Sequence, residues 1–530
     1  MERHRELRKI TGRLEHELPA LLEKHAIPGM TIGICDSSGT RWAKAFGFTR
    51  AGGRDPITTD TMFSVQSISK MYTSTLVMLA VQRGLLSLDQ PITAYLPKFT
   101  VRSIFESAPE QRITLRHLLN HSAGFTHEAP EGSNYRVGRA SFAAHCRSIA
   151  DTWLRFPVGH HHEYSNLGID LAGCILQTVA RLPFSELARR WLFEPLGMHR
   201  TSIDHRAIIR ERDRAIGHSP GIKHMPVRIP MVAAGGVYTS ILDACRFIQL
   251  HLAGGGPLLD PNCITQLYES ALPDGQRVGY GLGVRMVPVD GHTARGHSGG
   301  GFGFLADSYW LPDVGIGVAV LTNSTSHPLQ WTLASQILRD LAGPRAPDVA
   351  SVEIEPPSPN VGISPDPFIG TYVASNGTLS IVSEEGRLAL VTDNNRKALR
   401  LVAPDQAVVD EVPPRRFRLL RDAAEVPRYL QDMSDGTVWY RNDQLCDPLT
   451  DIPSQWAEFE GEYAIESFGK RAGVARLHHE GGCLLLDWPD MPRLRMDEHK
   501  GGVFFSCTGE ALDLHCIPPT YANIRLRRLG

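Results

Sequence analysis

Ser67 and Lys70 stand three residues apart at the head of an apolar run, residues 71–81. On a helix, positions i and i+3 share a face, so this spacing sets an amine beside a hydroxyl. A crowded lysine can take a proton from a serine, and a helix N-terminus offers free N–H groups and a positive dipole end to a developing oxyanion. The plain alternative is a helix cap, since Ser-x-x-Lys arises by chance roughly once in a chain this long. Two later segments weigh against it. Tyr164-Ser165-Asn166 follows a turn marked by Pro157 and Gly159 and precedes a helical pattern over 167–179. There Tyr164 can share a proton relay with Lys70, and Asn166 can hydrogen-bond to both lysine and substrate. The third is Gly296-His297-Ser298-Gly299-Gly300-Gly301, whose small residues let a substrate backbone lie along an edge strand. His297 is expected to orient Tyr164 or to contact a substrate carbonyl or carboxylate. His162, Ser298 and Gly299 are expected to line the substrate cleft.

Ser-x-x-Lys, Tyr-x-Asn and a basic-x-Gly strand, in this order, resemble the class C β-lactamase-like and penicillin-binding-protein-like serine hydrolases. That family includes D-aminopeptidases, alkaline D-peptidases, carboxylesterases and D,D-peptidases. Blocks at 84–89, 113–125, 195–198 and 233–240 extend the resemblance across residues 15–340. It implies Ser67 as nucleophile, Lys70 as base, Tyr164 as proton relay, and an acyl-enzyme that needs no metal or organic cofactor. By position, it also implies an oxyanion hole formed by the N–H groups of Ser67 and Gly300. Two features depart from the β-lactamase pattern. His297 stands where those enzymes carry a permanently charged lysine, which favours peptidase or esterase over antibiotic hydrolysis. Some 190 residues also follow the catalytic domain.

These motifs need a frame. Strand patterns at 29–35 and 42–46, and again near 281–287, 305–310 and 315–321, with a helix over 329–341, predict an α/β (α+β) fold. It is an antiparallel sheet flanked by helices, with a helical lobe between residues 67 and 250 and the nucleophile in the cleft. The catalytic domain is expected over 1–345, followed by a Pro-rich linker over 346–366. Alternating segments beyond it predict β-barrel structure, and Phe368-Ile369-Gly370-Thr371-Tyr372 recurs as Phe459-Glu460-Gly461-Glu462-Tyr463. The expectation is a barrel over 367–450 and a second over 454–530, or two halves of one lipocalin-like barrel. The D-aminopeptidases of the family resemble this plan. A barrel loop reaching the active-site mouth would limit substrate length.

The chain has 530 residues, 42% of them hydrophobic, with 55 basic against 57 acidic side chains. That balance, with no basic run, argues against nucleic acid as a partner. No stretch is long and apolar enough to span a membrane. A polar amino terminus and nine scattered cysteines without Cys-x-x-Cys spacing predict reduced thiols and a cytoplasmic location. His160-His161-His162-Glu163 is not read as a metal site, because adjacent side chains diverge, and His117 with His121 is read as structural. The expected function is a serine hydrolase cleaving amide bonds of short or unusual peptides, D-residue-containing or linearised non-ribosomal ones included. Carboxylesterase, transacylase, weak β-lactamase and a non-catalytic peptide-binding module are the alternatives. The partner is then a small peptide or ester, and the barrels could support a homodimer.

Overall fold

The computed structural model describes the chain apart from residues 1, 133–139, 221–224, 270–278, 344–363 and 443–452. Also outside it are short barrel segments at 375–376, 385–386, 393–394, 410–414, 423, 434–435, 455, 468–469, 490, 501, 517 and 530. Most of the expected linker, 346–363, therefore lies outside the described residues.

Helix α1 (Glu2–Lys24) opens the chain, with Ile10, Leu14, Leu18 and Leu22 forming a buried stripe at four-residue spacing. Strands β1 (Gly29–Asp36) and β2 (Gly39–Gly47) follow, then α2 (Ser69–Gln82), α3 (Asn166–Ala180), α4 (Val232–Gly235) and α5 (Ile241–Leu252). The sheet resumes with β3 (Gly279–Tyr280), β4 (Arg285–Val289), β5 (His292–Gly301), β6 (Phe304–Leu311) and β7 (Ile316–Thr322), and α6 (Leu329–Ala342) closes this part. The seven strands run in the order β2-β1-β7-β6-β5-β4-β3, and every pairing is antiparallel.

Strand alternation divides the core between the two sheet faces. Met30, Ile32 and Ile34 of β1 pack with α1 and α6, each fully buried apolar side chain contributing about 1.5–3 kcal/mol. On the other face, α5 presses Ile241 and Cys245 against Gly33, and the helical lobe joins the same core. Helix α2 is buried nearly all round, the expected fate of a helix apolar on every side. One expected strand differs: residues 281–284 form a loop. The Leu282 and Gly283 N–H groups bond the carbonyls of Leu267 and Leu119 in the lobe rather than a neighbouring strand.

The C-terminal region forms two closed eight-stranded barrels rather than halves of one. The first runs from Gly370–Ala374 to Val438–Arg441, the second from Gly461–Ser467 to Ile524–Arg528. The repeated Phe-x-Gly-x-Tyr segment serves each barrel in the same way. The Tyr372 hydroxyl donates to the Phe368 carbonyl at 2.9 Å, and that of Tyr463 to the Phe459 carbonyl at 2.5 Å. An arginine on each last strand completes the clasp. Arg441 donates to the carbonyls of Pro367 and Ile369, and Arg528 to those of Glu458 and Glu460. First strand and last are thereby tied at the seam of closure.

Candidate active site

Ser67 sits in a 3-10 turn, Gln66–Ile68, just ahead of α2, and Lys70 lies in the helix's first turn. Gln66 holds φ at +48°, a left-handed conformation costly for a side chain with a Cβ. Its amide donates to the Ser64 hydroxyl at 2.7 Å, which helps fix the turn.

Lys70 is fully buried, and its ammonium reaches three acceptors: Ser67 Oγ at 3.0 Å, Asn166 Oδ1 at 2.7 Å and the Ala234 carbonyl at 3.1 Å. Three acceptors match the three protons of a charged lysine. A neutral lysine is satisfied as well, donating to Asn166 and Ala234 while accepting from Ser67. Only the Ser67 bond reverses direction between the two states, so the geometry suits proton exchange along that bond.

Both remaining acceptors are anchored from behind. Ser165 caps α3, its hydroxyl accepting from the Leu167 N–H and donating to the Thr126 carbonyl, which fixes Asn166. Asp170, one turn along, receives the N–H groups of Ala233 and Ala234 at 2.9 and 3.0 Å and thereby holds the Ala234 carbonyl on Lys70. His145 Nε2 meets the other oxygen of Asp170 at 3.1 Å. Burial works against charge on His145, but the hydrogen bond and charge of Asp170 raise its pKa above the usual histidine value.

The Tyr164 ring lies 4.8 Å from Lys70 Nζ, among the rings of His121 at 4.6 Å, His127 at 5.8 Å, His297 at 6.1 Å and Tyr280 at 6.3 Å. The Arg285 guanidinium stands 5.8 Å from the same ring on an exposed residue. Burial pushes both His121 and His297 well below the usual histidine range, and Lys70 and Arg285 nearby act in the same direction. Both rings are therefore neutral.

His297 departs from expectation. Its Nδ1 faces the Ser298 carbonyl at 2.5 Å and so carries the proton, while Nε2 accepts the Tyr280 hydroxyl at 2.9 Å. Neither nitrogen is left for a substrate carbonyl or for Tyr164. Ser298 departs as well: its hydroxyl bonds Asp307 and stands 2.9 Å from the Tyr309 hydroxyl, turned toward the sheet rather than the cleft. Gly299 is placed by contact. A Cβ there would lie 2.0 Å from the Val65 carbonyl oxygen and 3.1 Å from Ser67 N, so only glycine lets β5 rest on the nucleophile's turn. Strand β4 pairs with β5 only as far as Gly296, and among the described residues no strand pairs with 297–301 on that edge, where Gly300 is exposed.

His162 lines a cavity of about 690 Å³ that begins at Tyr164 and Tyr280. Its neighbours face elsewhere: His160 Nε2 donates to the Arg421 carbonyl and His161 Nε2 meets the Tyr440 hydroxyl, both on the first barrel. His160 and His161 thus turn toward each other, their Nδ1 atoms 2.8 Å apart, and of the three only His162 faces the cavity. Among the described residues no group of three or more His, Cys, Asp and Glu is placed to hold a metal ion. Both barrels help to wall the cavity, the first through Val438 and Tyr440, the second through Trp488, Met491, Tyr521 and Ile524.

Arg155 joins the three parts. Its buried guanidinium pairs with Glu163 at 3.4 Å and with Glu510 of the second barrel at 3.0 Å. It also donates to the Thr508 carbonyl at 3.0 Å and reaches the Tyr440 hydroxyl of the first barrel at 3.4 Å. Glu163 immediately precedes Tyr164 and also accepts from Tyr440 at 3.1 Å. Gly509 allows this approach, since a Cβ there would meet the Arg155 carbonyl oxygen at 2.1 Å. The 521–524 hairpin docks beside it, Asn523 donating to the Glu128 carbonyl at 2.9 Å.

Sequence reasoning missed Tyr280, Arg285, Asp170 and Arg155. Tyr280 alone carried a local signal, an aromatic set among glycines in Gly279-Tyr280-Gly281-Leu282-Gly283.

Comparison with known proteins agrees with this geometry. The model of the Beta-lactamase family matches residues 13–340. Penicillin-binding protein 4 of Amycolatopsis lactamdurans is 27% identical over 68% of this chain and 97% of its own length. The D-alanyl-D-alanine-carboxypeptidase/endopeptidase AmpH of Escherichia coli K12 is 25% identical over 57% of this chain and 80% of its own. In fold, the chain is similar to an octameric penicillin-binding protein homologue from Pyrococcus abyssi. The TM-score is 0.56 at 20% identity, covering 92% of this chain and 99% of that one.

Proposed function

The chain belongs to the beta-lactamase family and is a serine hydrolase, and from that premise we propose that it cleaves amide bonds in short peptides, D-residues included, through an acyl-enzyme on Ser67. The observation that carries this reading is Lys70 Nζ held 3.0 Å from Ser67 Oγ by acceptors that are all uncharged. Lys70 takes the Ser67 proton as Oγ attacks the substrate carbonyl. The N–H groups of Ser67 and Gly300 receive the oxyanion, and the leaving nitrogen takes a proton by way of Tyr164. Water then attacks the ester carbonyl and restores Ser67.

Short substrates are favoured because both barrels wall the cavity beyond Tyr164, which suits a small body rather than a long chain. A neutral His297 gives β5 no cation for a β-lactam carboxylate, and Arg285 offers a peptide carboxylate a charge near Tyr164 instead. We also assign the protein to the cytoplasm, which its free thiols favour.

A mass-spectrometric assay on short peptides with D- or L-residues at each position tests the proposal, with matched esters and a penicillin included and Ser67→Ala run in parallel. Serine-dependent cleavage with a preference for position and chirality is expected. Turnover of esters alone would replace the peptidase reading with an esterase or transacylase. Retained ligand binding without any turnover in the unmodified protein would leave a binding module.

A further inference from the structure

The cavity of about 690 Å³ is lined by Tyr164, whereas Ser67, Gly299 and Gly300 take no part in its wall. It therefore meets the catalytic groups through Tyr164, whose ring lies 4.8 Å from Lys70 Nζ. On the reaction proposed above, attack forms the bond from Ser67 Oγ to the carbonyl carbon, and collapse breaks the bond from that carbon to the leaving nitrogen. The proton that Ser67 gave to Lys70 passes by way of Tyr164 to that nitrogen, and water later displaces Oγ and returns a proton to it. If Tyr164 delivers that proton, the portion of the substrate seated against it is the one that departs.

We propose that this cavity is the leaving-group site and that the second barrel makes it selective for amines bearing an apolar side chain. The inference rests on the serine acyl-enzyme reading. The second barrel supplies Trp488, Met491, Tyr521, Ala522 and Ile524 to the wall, together with Thr508 and with Glu510, which is paired to Arg155. Trp488 and Tyr521 stand with ring centroids 5.1 Å apart at 53°, and both Trp488 and Met491 pack on the barrel core while remaining partly exposed. Arg155 is paired with Glu163 and Glu510, and Arg285 serves the carboxylate of any leaving residue alike, which leaves apolar contact to discriminate between side chains. The volume suits a short peptidyl leaving group with a large side chain.

The test uses the full-length protein and two substrate series, each made in both chiralities. One fixes the acyl group as N-acetyl-alanyl and varies the leaving residue among glycine, leucine and tryptophan. The other fixes the leaving residue as leucine and varies the acyl group among N-acetyl-glycyl, -alanyl and -phenylalanyl. In the unmodified protein, kcat/KM is expected to rise with the apolar size of the leaving residue. In Trp488→Ala, the tryptophan-to-glycine ratio is expected to fall at least about tenfold, with ratios across the acyl series held within about twofold. Met491→Ser provides an independent reading should Trp488→Ala fold poorly. Acyl ratios that move while leaving-group ratios hold would overturn the proposal, as would ratios that all stay fixed. A nitrophenyl acetate burst separates the two levels of inference. Without a Ser67-dependent burst in the unmodified protein, the acyl-enzyme reading falls and this proposal with it; with a burst and unmoved ratios, the proposal alone falls.

Discussion

Lys70 and Arg155 are both cations buried beside the cleft, and they are held in opposite ways. Lys70 has only neutral acceptors, all from the catalytic region: a serine hydroxyl, an asparagine oxygen and a backbone carbonyl. Arg155 has two carboxylates, one of them from the second barrel, together with a hydroxyl of the first. A group that must exchange a proton cannot be tied to a fixed anion, which would lock it in the charged state. A group that must hold domains in register gains from that lock, because guanidinium stays charged throughout. The cleft thus separates reactivity from assembly by the charge of the partners, not by burial.

The most direct way to break this contrast is to give Lys70 a carboxylate. Asn166→Asp keeps the shape of the site and makes Lys70 resemble Arg155. Serine-dependent kcat/KM should fall at least ~10³-fold, an added barrier of about 4 kcal/mol, with the thermal midpoint little changed. Activity near that of the unmodified protein would show that Lys70 need not change its charge.

Arg155→Met tests the other half. It strands Glu163 and Glu510, and chemical denaturation should register a loss of about 3–4 kcal/mol, with part recovered in Arg155→Lys. A loss below about 1 kcal/mol would mean that the barrels dock without the ion pairs.

Asp307 sharpens the contrast from a third direction, as a buried acid next to neither cation. Burial raises its pKa to about 7, against the opposing pull of the Ser298 hydrogen bond and the charge of Arg285. An unfolded aspartate ionises near pH 3.9, so from about pH 4 to 7 the folded chain keeps a proton that the unfolded chain has lost. Stability should therefore fall as pH rises through that window, by on the order of 4 kcal/mol at most, and level off above about pH 7. Asp307→Asn should remove this component from the pH profile of thermal unfolding.

The smallest effect is expected at the docked hairpin, where Ala522 holds φ at +49° in a two-residue turn. Ala522→Gly should relieve backbone strain and stabilise by about 0.5–1 kcal/mol at most, read as a small rise in midpoint. A clear fall would place the methyl group in a contact worth more than the strain.

What could be read from the sequence follows the distance between partners. Ser67 with Lys70, and Tyr164 with Asn166, are neighbours at helical spacing or within one turn, so local pattern exposed them. The Phe-x-Gly-x-Tyr repeat was visible because its partners lie four residues apart. Arg155 was not, because apart from Glu163 its partners lie at residues 440 and 508–510 and no motif marks it. The arginines of the two clasps escaped for the same reason, each standing some 70 residues from the carbonyls it binds. His297 shows a different limit. Its place on β5 was legible, but the direction of its nitrogens depends on Tyr280, which arrives from another strand.

The paired clasps reach further than barrel closure. Each barrel seals its own seam with its own tyrosine and arginine, while Val373, Tyr429, Val438 and Tyr440 of the first barrel pack into the core cluster of the second. Closure is thus private to each barrel and packing is shared, so a change on either facing surface has to be matched on the other.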